Sequence, residues 1–158
     1  MLKMMKKITL FVDADACPVK NEILTIAHTF DLDTVFVASY ASYSANREGT
    51  WVFVDQEKEA ADLYIVNHVS PNDVVVTQDI GLAGLLTKRN VFVLSIRGQL
   101  INEKNVEALL DRRYQSYHAL NAGERVRGPK PFTSQNRKYF SEALIKLLCQ
   151  LDHWDINK

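Results

Sequence analysis

The sequence predicts a single α/β domain with a mostly parallel sheet and helices on both faces. Three observations carry this reading. Short apolar runs of strand length recur along the chain, stretches with helical apolar spacing lie between most of them, and 158 residues at 47% hydrophobic suit one core. The domain is therefore read as residues 1–158, with residues 121–150 as a C-terminal extension that ends in a helix.

The first run, Ile8 to Val12, is a buried strand that ends abruptly in Asp13-Ala14-Asp15. Pro18 suits the first turn of a helix whose apolar stripe is Ile23, Leu24, Ala27 and Phe30. Thr34 to Tyr40 predicts a second strand, a polar loop runs through Gly49, and Trp51 to Val54 predicts a short third strand. From Lys58 the spacing turns helical through Ala61, Ile65, Val66 and Val69, and Pro71-Asn72-Asp73 closes that helix. Val74-Val75-Val76 is the most strand-like segment, and it runs into Thr77-Gln78-Asp79. A helix from Gly81 to Lys88, a strand from Val91 to Ile96 and a turn at Arg97-Gly98 follow. Asn102 is suited to cap a long helix carrying Val106, Leu109, Leu110, Tyr114 and Tyr117. Asn121 to Pro131 predicts an irregular connection, and Ser134 opens a last helix with Phe140, Leu144, Leu147 and Leu148 on one side.

Composition narrows the class. No apolar run is long enough for a signal sequence or a bilayer span, so no membrane role is expected. Cys17 and Cys149 lie far apart without a CxxC spacing, which favours the reducing cytoplasm and a buried structural thiol at Cys17. The four histidines, His28, His68, His118 and His153, have no metal-ligand spacing. Net charge is zero, yet residues 1–87 carry 6 Lys/Arg against 12 Asp/Glu and residues 88–138 carry 11 against 4. An acidic half that can hold cations beside a basic stretch that can hold phosphates suits a metal-dependent enzyme acting on a phosphodiester. A merely salt-bridged surface is the plain alternative.

Ligands of open parallel sheets bind outside the carboxyl ends of the strands. Asp13 and Asp15 follow the first strand and Asp79 follows the valine strand, so they share one crevice if those strands are neighbours. Glu59 and Asp62 are three apart on one helical face that can aim at the same place. Such a cluster repels itself unless a cation compensates, and oxygen-only ligands select magnesium, manganese or calcium over zinc. Against this, an aspartate after a strand is also a common helix cap, a role open to both Asp15 and Asp79.

Val12 to Pro18 (VDADACP), Ala60 to Val66 (AADLYIV), Val75 to Ala83 (VVTQDIGLA), Arg97-Gly98 and Gly128-Pro129 resemble the bacterial YaiI/YqxD family of uncharacterised proteins, over roughly residues 8–150. That family is thought to resemble PIN-like nuclease domains, which hold magnesium or manganese with acidic residues on a parallel sheet. The resemblance implies Asp13 as the acid after the first strand, Asp62 as the helix acid and Asp79 as the acid after the fourth strand. This chain departs from the family pattern at Gly81, where a proline is common, at Ser95-Ile96-Arg97-Gly98 for NPRG, and at Glu59 for an aspartate.

The leading expectation is a magnesium- or manganese-dependent nuclease with catalytic Asp13, Asp62 and Asp79. Asp15 and Glu59 complete the metal set, and Arg97, Arg112, Arg113, Arg125 and Arg127 hold nucleic acid, RNA ahead of DNA. A non-catalytic nucleic-acid or protein-binding module is the alternative. A phosphatase of the haloacid dehalogenase type, with Asp13 as nucleophile and Asp15 as acid/base, ranks below both because Ala16-Cys17-Pro18 replaces its usual continuation and no late paired aspartates follow a strand.

Overall fold

Six strands form one sheet in the order β3-β2-β1-β4-β5-β6, parallel throughout except where β6 runs antiparallel to β5. The computed structural model describes residues 8–15, 17–42, 48–57, 59–123 and 131–156. The strands are β1 (Thr9–Asp13), β2 (Asp33–Ser39), β3 (Thr50–Val54), β4 (Val74–Val76), β5 (Phe92–Leu94) and β6 (Leu100–Ile101). The helices are α1 (Lys20–Thr29), α2 (Ala60–His68), α3 (Ile80–Thr87), α4 (Val106–Asn121) and α5 (Ser134–Ile156). The five expected strands and five expected helices are present, and β6 is an addition too short to announce itself by alternation.

Side chains alternate across the sheet as the pleat requires. Leu10, Val12, Phe36, Ala38, Val74, Val76 and Leu94 pack with α1 and α5, whose Ile23, Phe140 and Leu144 are fully buried. Phe11, Val37, Val75 and Val93 face the other way, onto Ile65 of α2, Leu82 and Leu86 of α3, and Val106 of α4. All three valines of β4 are inaccessible to solvent, which is why that strand is an unbroken apolar run rather than an alternating one.

Two local expectations are corrected, and one is met. Pro18 precedes the helix instead of entering it, because α1 begins at Lys20 with Val19 as its N-cap. Asn102 caps as expected, one turn ahead of α4: its Oδ1 accepts from the backbone N–H groups of Lys104 and Asn105 and its carbonyl from Val106, while Asn105, the residue directly before the helix, makes no side-chain cap bond. Tyr114 and Tyr117 do not continue the buried stripe of α4, since both are exposed.

After β1 the chain builds β2 and β3 on one side, then crosses to place β4 on the other. The strand order therefore reverses at the β1–β4 pair, and ligands of open parallel sheets bind beyond the carboxyl ends of the strands at such a point. Among the described residues, no helix is long and apolar enough to cross a membrane.

Candidate functional site

Asp13 is the last residue of β1 and shares its sheet face with Phe11, the face covered by α2, α3 and α4. Register places Val12 beside Val76, so the next residues, Asp13 and Thr77, also meet across the strand pair. The Thr77 hydroxyl donates to Asp13 Oδ2 at 3.0 Å and accepts from the backbone N–H of Asp79 at 3.0 Å. Thr77 is almost wholly buried. It ties the ends of the two strands together through the carboxylate.

Asp79 is the N-cap of α3 and accepts from the N–H groups of Gly81 at 2.9 Å and Leu82 at 3.2 Å. It therefore plays the capping part expected of it, but it also has two side-chain neighbours. The Arg113 guanidinium lies 3.4 Å from Asp79 Oδ1. Asp62, in the first turn of α2, has its carboxyl within hydrogen-bonding reach of the Asp79 carboxyl.

The electrostatics follow from this crowding. Burial raises the Asp13 pKa above the ordinary carboxylate value; the Thr77 hydrogen bond opposes that rise, and the charges of Asp15 and Asp79 add to it. Asp62 is pushed up to about 6, first by desolvation, then by the charges of Asp79 and Asp13, the shared hydrogen bond with Asp79 and the charge of Glu59. The carboxyls around them thus disfavour the ionisation of Asp13 and of Asp62.

The remaining candidates divide. Glu59 is the exposed N-cap of α2 and acts on Asp62 through its charge. Asp15 does not supply the N-cap of α1: both of its oxygens accept from the Ser39 backbone N–H, at 3.1 and 3.2 Å, on the β2 side of β1. Arg113 reaches the carboxylates, and Arg112 is exposed on α4. Arg97 lies on the α5 side, donating to Asn136 Oδ1 at 3.2 Å with its guanidinium 5.7 Å from the Phe132 ring centre. Arg125 and Arg127 lie outside the described residues. Cys17 is buried, and burial pushes its thiol pKa up, away from a reactive thiolate. Sequence reasoning passed over Thr77; its one signal is that it follows Val76 as Asp13 follows Val12, which is visible only once β1 and β4 are known to pair.

Among the described residues, no three His, Cys, Asp or Glu side chains form a group able to ligate one ion directly. The donor set of Asp13, Asp62 and Asp79 is all oxygen, and magnesium commonly takes only one or two carboxylates while keeping several waters. In chemistry the set suits a hydrated hard cation.

Similarity to known proteins is strong in sequence. The description "Uncharacterized BCR, YaiI/YqxD family" matches residues 11–150. A UPF0178 protein of Bacillus velezensis is 48% identical over 145 residues, covering 90% of this chain and 86% of that protein. Another, from Bacillus cytotoxicus, is 45% identical over 139 residues, covering 88% and 91%. One from Listeria monocytogenes is 44% identical over 140 residues, covering 88% and 96%. No solved structure matches this chain. With most of its length matched at this level of identity, the chain belongs to the YaiI/YqxD family.

Proposed function

We propose that the protein is a magnesium- or manganese-dependent nuclease of the PIN-like kind that hydrolyses phosphodiester bonds in nucleic acid, RNA ahead of DNA. The observation that carries this reading is the convergence of Asp13, Asp62 and Asp79 at the point where the strand order reverses. Asp13, Asp62 and Asp79 would hold the ion, directly or through its waters. The ion, when bound, supplies a polarised phosphate and a water acidified enough to attack it.

The chain's own groups have distinct tasks in this reading. Thr77 fixes the Asp13 carboxylate, and the α3 N–H groups fix Asp79. Asp62, its carboxyl pushed up to about 6 in the metal-free protein, would give up that proton to the charge of an ion held beside Asp79. Arg113, on the rim, is positioned to take a phosphate oxygen next to the carboxylates. Magnesium or manganese is expected to be required, and Glu59 tunes the set by charge.

The absence of a direct three-ligand group among the described residues favours, as a second reading, a nucleic-acid-binding module without turnover. A phosphatase of the haloacid dehalogenase type is disfavoured because Asp15, its acid/base, is held by the Ser39 N–H on the far side of β1. Labelled single-stranded RNA incubated with manganese tests all three. The nuclease reading expects cleavage that Asp13→Asn and Asp79→Asn abolish, with no phosphorylated enzyme in acid-quenched samples. Inertness toward RNA with retained binding favours the module, and an aspartyl-phosphate at Asp13 formed from a phosphomonoester would restore the phosphatase.

A further inference from the structure

Among the described residues, none packs over the tyrosines of the second half of α4. Val106 and Leu110 pack against Gly84 of α3, and Arg113 lies against Gly81 and Asp79, so α4 passes α3 in the opposite direction. At 1.5 Å per residue, the stretch from Tyr114 to Asn121 then continues about 12 Å past the start of α3, over the carboxylate end of the sheet. Tyr117 lies on the same helical stripe as Leu110 and Arg113. Yet Tyr114 and Tyr117 are 63% and 64% exposed. Leu110, Asp111, Arg113, Tyr114 and Tyr117 line one groove of about 490 Å³. Tyr114 is braced edge-on by His118, with ring centres 4.4 Å apart and planes at 79°.

We propose that this overhang is a stacking platform for the bases of a single-stranded nucleic acid, with Tyr114 and Tyr117 under the bases and Arg113 on a phosphate beside Asp79. The proposal rests on the nuclease reading and adds the strandedness of the substrate. Every base offers a π-face to an aromatic ring, but only an unpaired strand can present it to a side chain. Charge favours nucleic acid over a protein partner beside the tyrosines: Arg112 and Arg113 directly precede Tyr114 on α4, against Asp111 alone. Continuity selects it again, because the groove that holds both tyrosines also holds the arginine that touches Asp79. A strand laid along it brings its backbone to the carboxylates.

The test is fluorescence anisotropy of labelled oligouridylate and of an RNA duplex, in EDTA so that no turnover intervenes. Tighter binding of the single strand is expected. Tyr114→Ala and Tyr117→Ala should each raise Kd about five- to hundred-fold. Tyr114→Phe and Tyr117→Phe should stay near the parent, since they keep the ring. Preference for the duplex, failure of the parent to bind the single strand, or alanine variants that bind like the parent would overturn the proposal. A parent dimer that Tyr117→Ala dissociates in sedimentation would also overturn it, in favour of a self-association face. The expected binding pattern without manganese-dependent cleavage would support the platform while removing the nuclease reading.

Discussion

The β1–β4 pair is bracketed by aspartates at both ends, and the two ends satisfy them in opposite ways. At the amino end, buried Asp73 accepts from the Thr9 N–H at 3.0 Å and the Ser70 N–H at 2.8 Å, while its own carbonyl accepts from Phe92. Every neighbour there is a donor, so the carboxylate serves as a staple across β1, β4 and β5. At the carboxyl end, Asp13, Asp62 and Asp79 face one another, and the donors (Thr77, the α3 N–H groups and Arg113) leave Asp13 and Asp62 harder to ionise than an ordinary carboxyl. A carboxylate surrounded by donors holds a fold together; carboxylates that crowd one another keep their protons longer.

The contrast breaks most visibly in activity. With manganese and single-stranded RNA, Asp13→Asn is expected to lose cleavage by about a hundred-fold or more, as removal of a group that positions the ion and water would. Asp73→Asn should retain cleavage per folded molecule. Equal losses in the two variants would erase the distinction between the ends.

Stability should rank the ends the other way. Asp73→Ala leaves two inward backbone N–H groups without an acceptor, a loss of about 2–3 kcal/mol, or about 5–10 °C in Tm. Thermal melts in EDTA check this, and an unchanged Tm would remove the staple.

A smaller effect is expected from metal. Manganese at ten times its Kd should stabilise the parent by about 1.4 kcal/mol, a Tm rise of about 3–5 °C, and Asp79→Asn should lose most of that rise. The same rise in both proteins would put the ion elsewhere.

The subtlest test is pH. Asp62 in the folded protein binds its proton up to about 6, well above the unfolded value near 3.8, so the folded state carries more protons through that interval. Stability of the metal-free protein should therefore fall as pH rises from about 4 past 6, and the loss should be complete above it. Asp62→Asn should flatten that slope, whereas Asp73→Asn should leave it in place. A slope unchanged by Asp62→Asn would locate the strained carboxyl elsewhere.

The fold was legible because its signals are local. The short, largely apolar runs at Ile8 to Val12 and Val74 to Val76 have the length and β-branched content of buried strands, and the spacing of Phe140, Leu144, Leu147 and Leu148 marks a helix regardless of its neighbours. Asp13 and Asp79 were legible for the same reason, as the first polar carboxylates after apolar strands. Asp15 was misread as a possible cap because a cap and a turn aspartate look alike in sequence; the Ser39 N–H that claims it lies 24 residues away. Tyr114 and Tyr117 carry the helical period of a buried stripe, and period alone does not reveal where the neighbouring helix ends.

By itself, the sequence determined the alternation of strands and helices and the presence of acids at two strand ends, since periodicity and residue order fix both within a few turns of chain. Tertiary structure alone decided which acids meet. β4 lies beside β1 and not beyond β3, so Thr77 reaches Asp13 across 64 residues. The run of α4 past α3 brings Arg113 to Asp79 across 34 residues and leaves Tyr114 and Tyr117 bare beside it. Arg97, two residues beyond Ser95 in the turn after β5, goes to Phe132 and Asn136 on the opposite face of the sheet. Charge interactions fall off over a few ångströms, and such distances are set by strand order and helix direction, which no local pattern encodes.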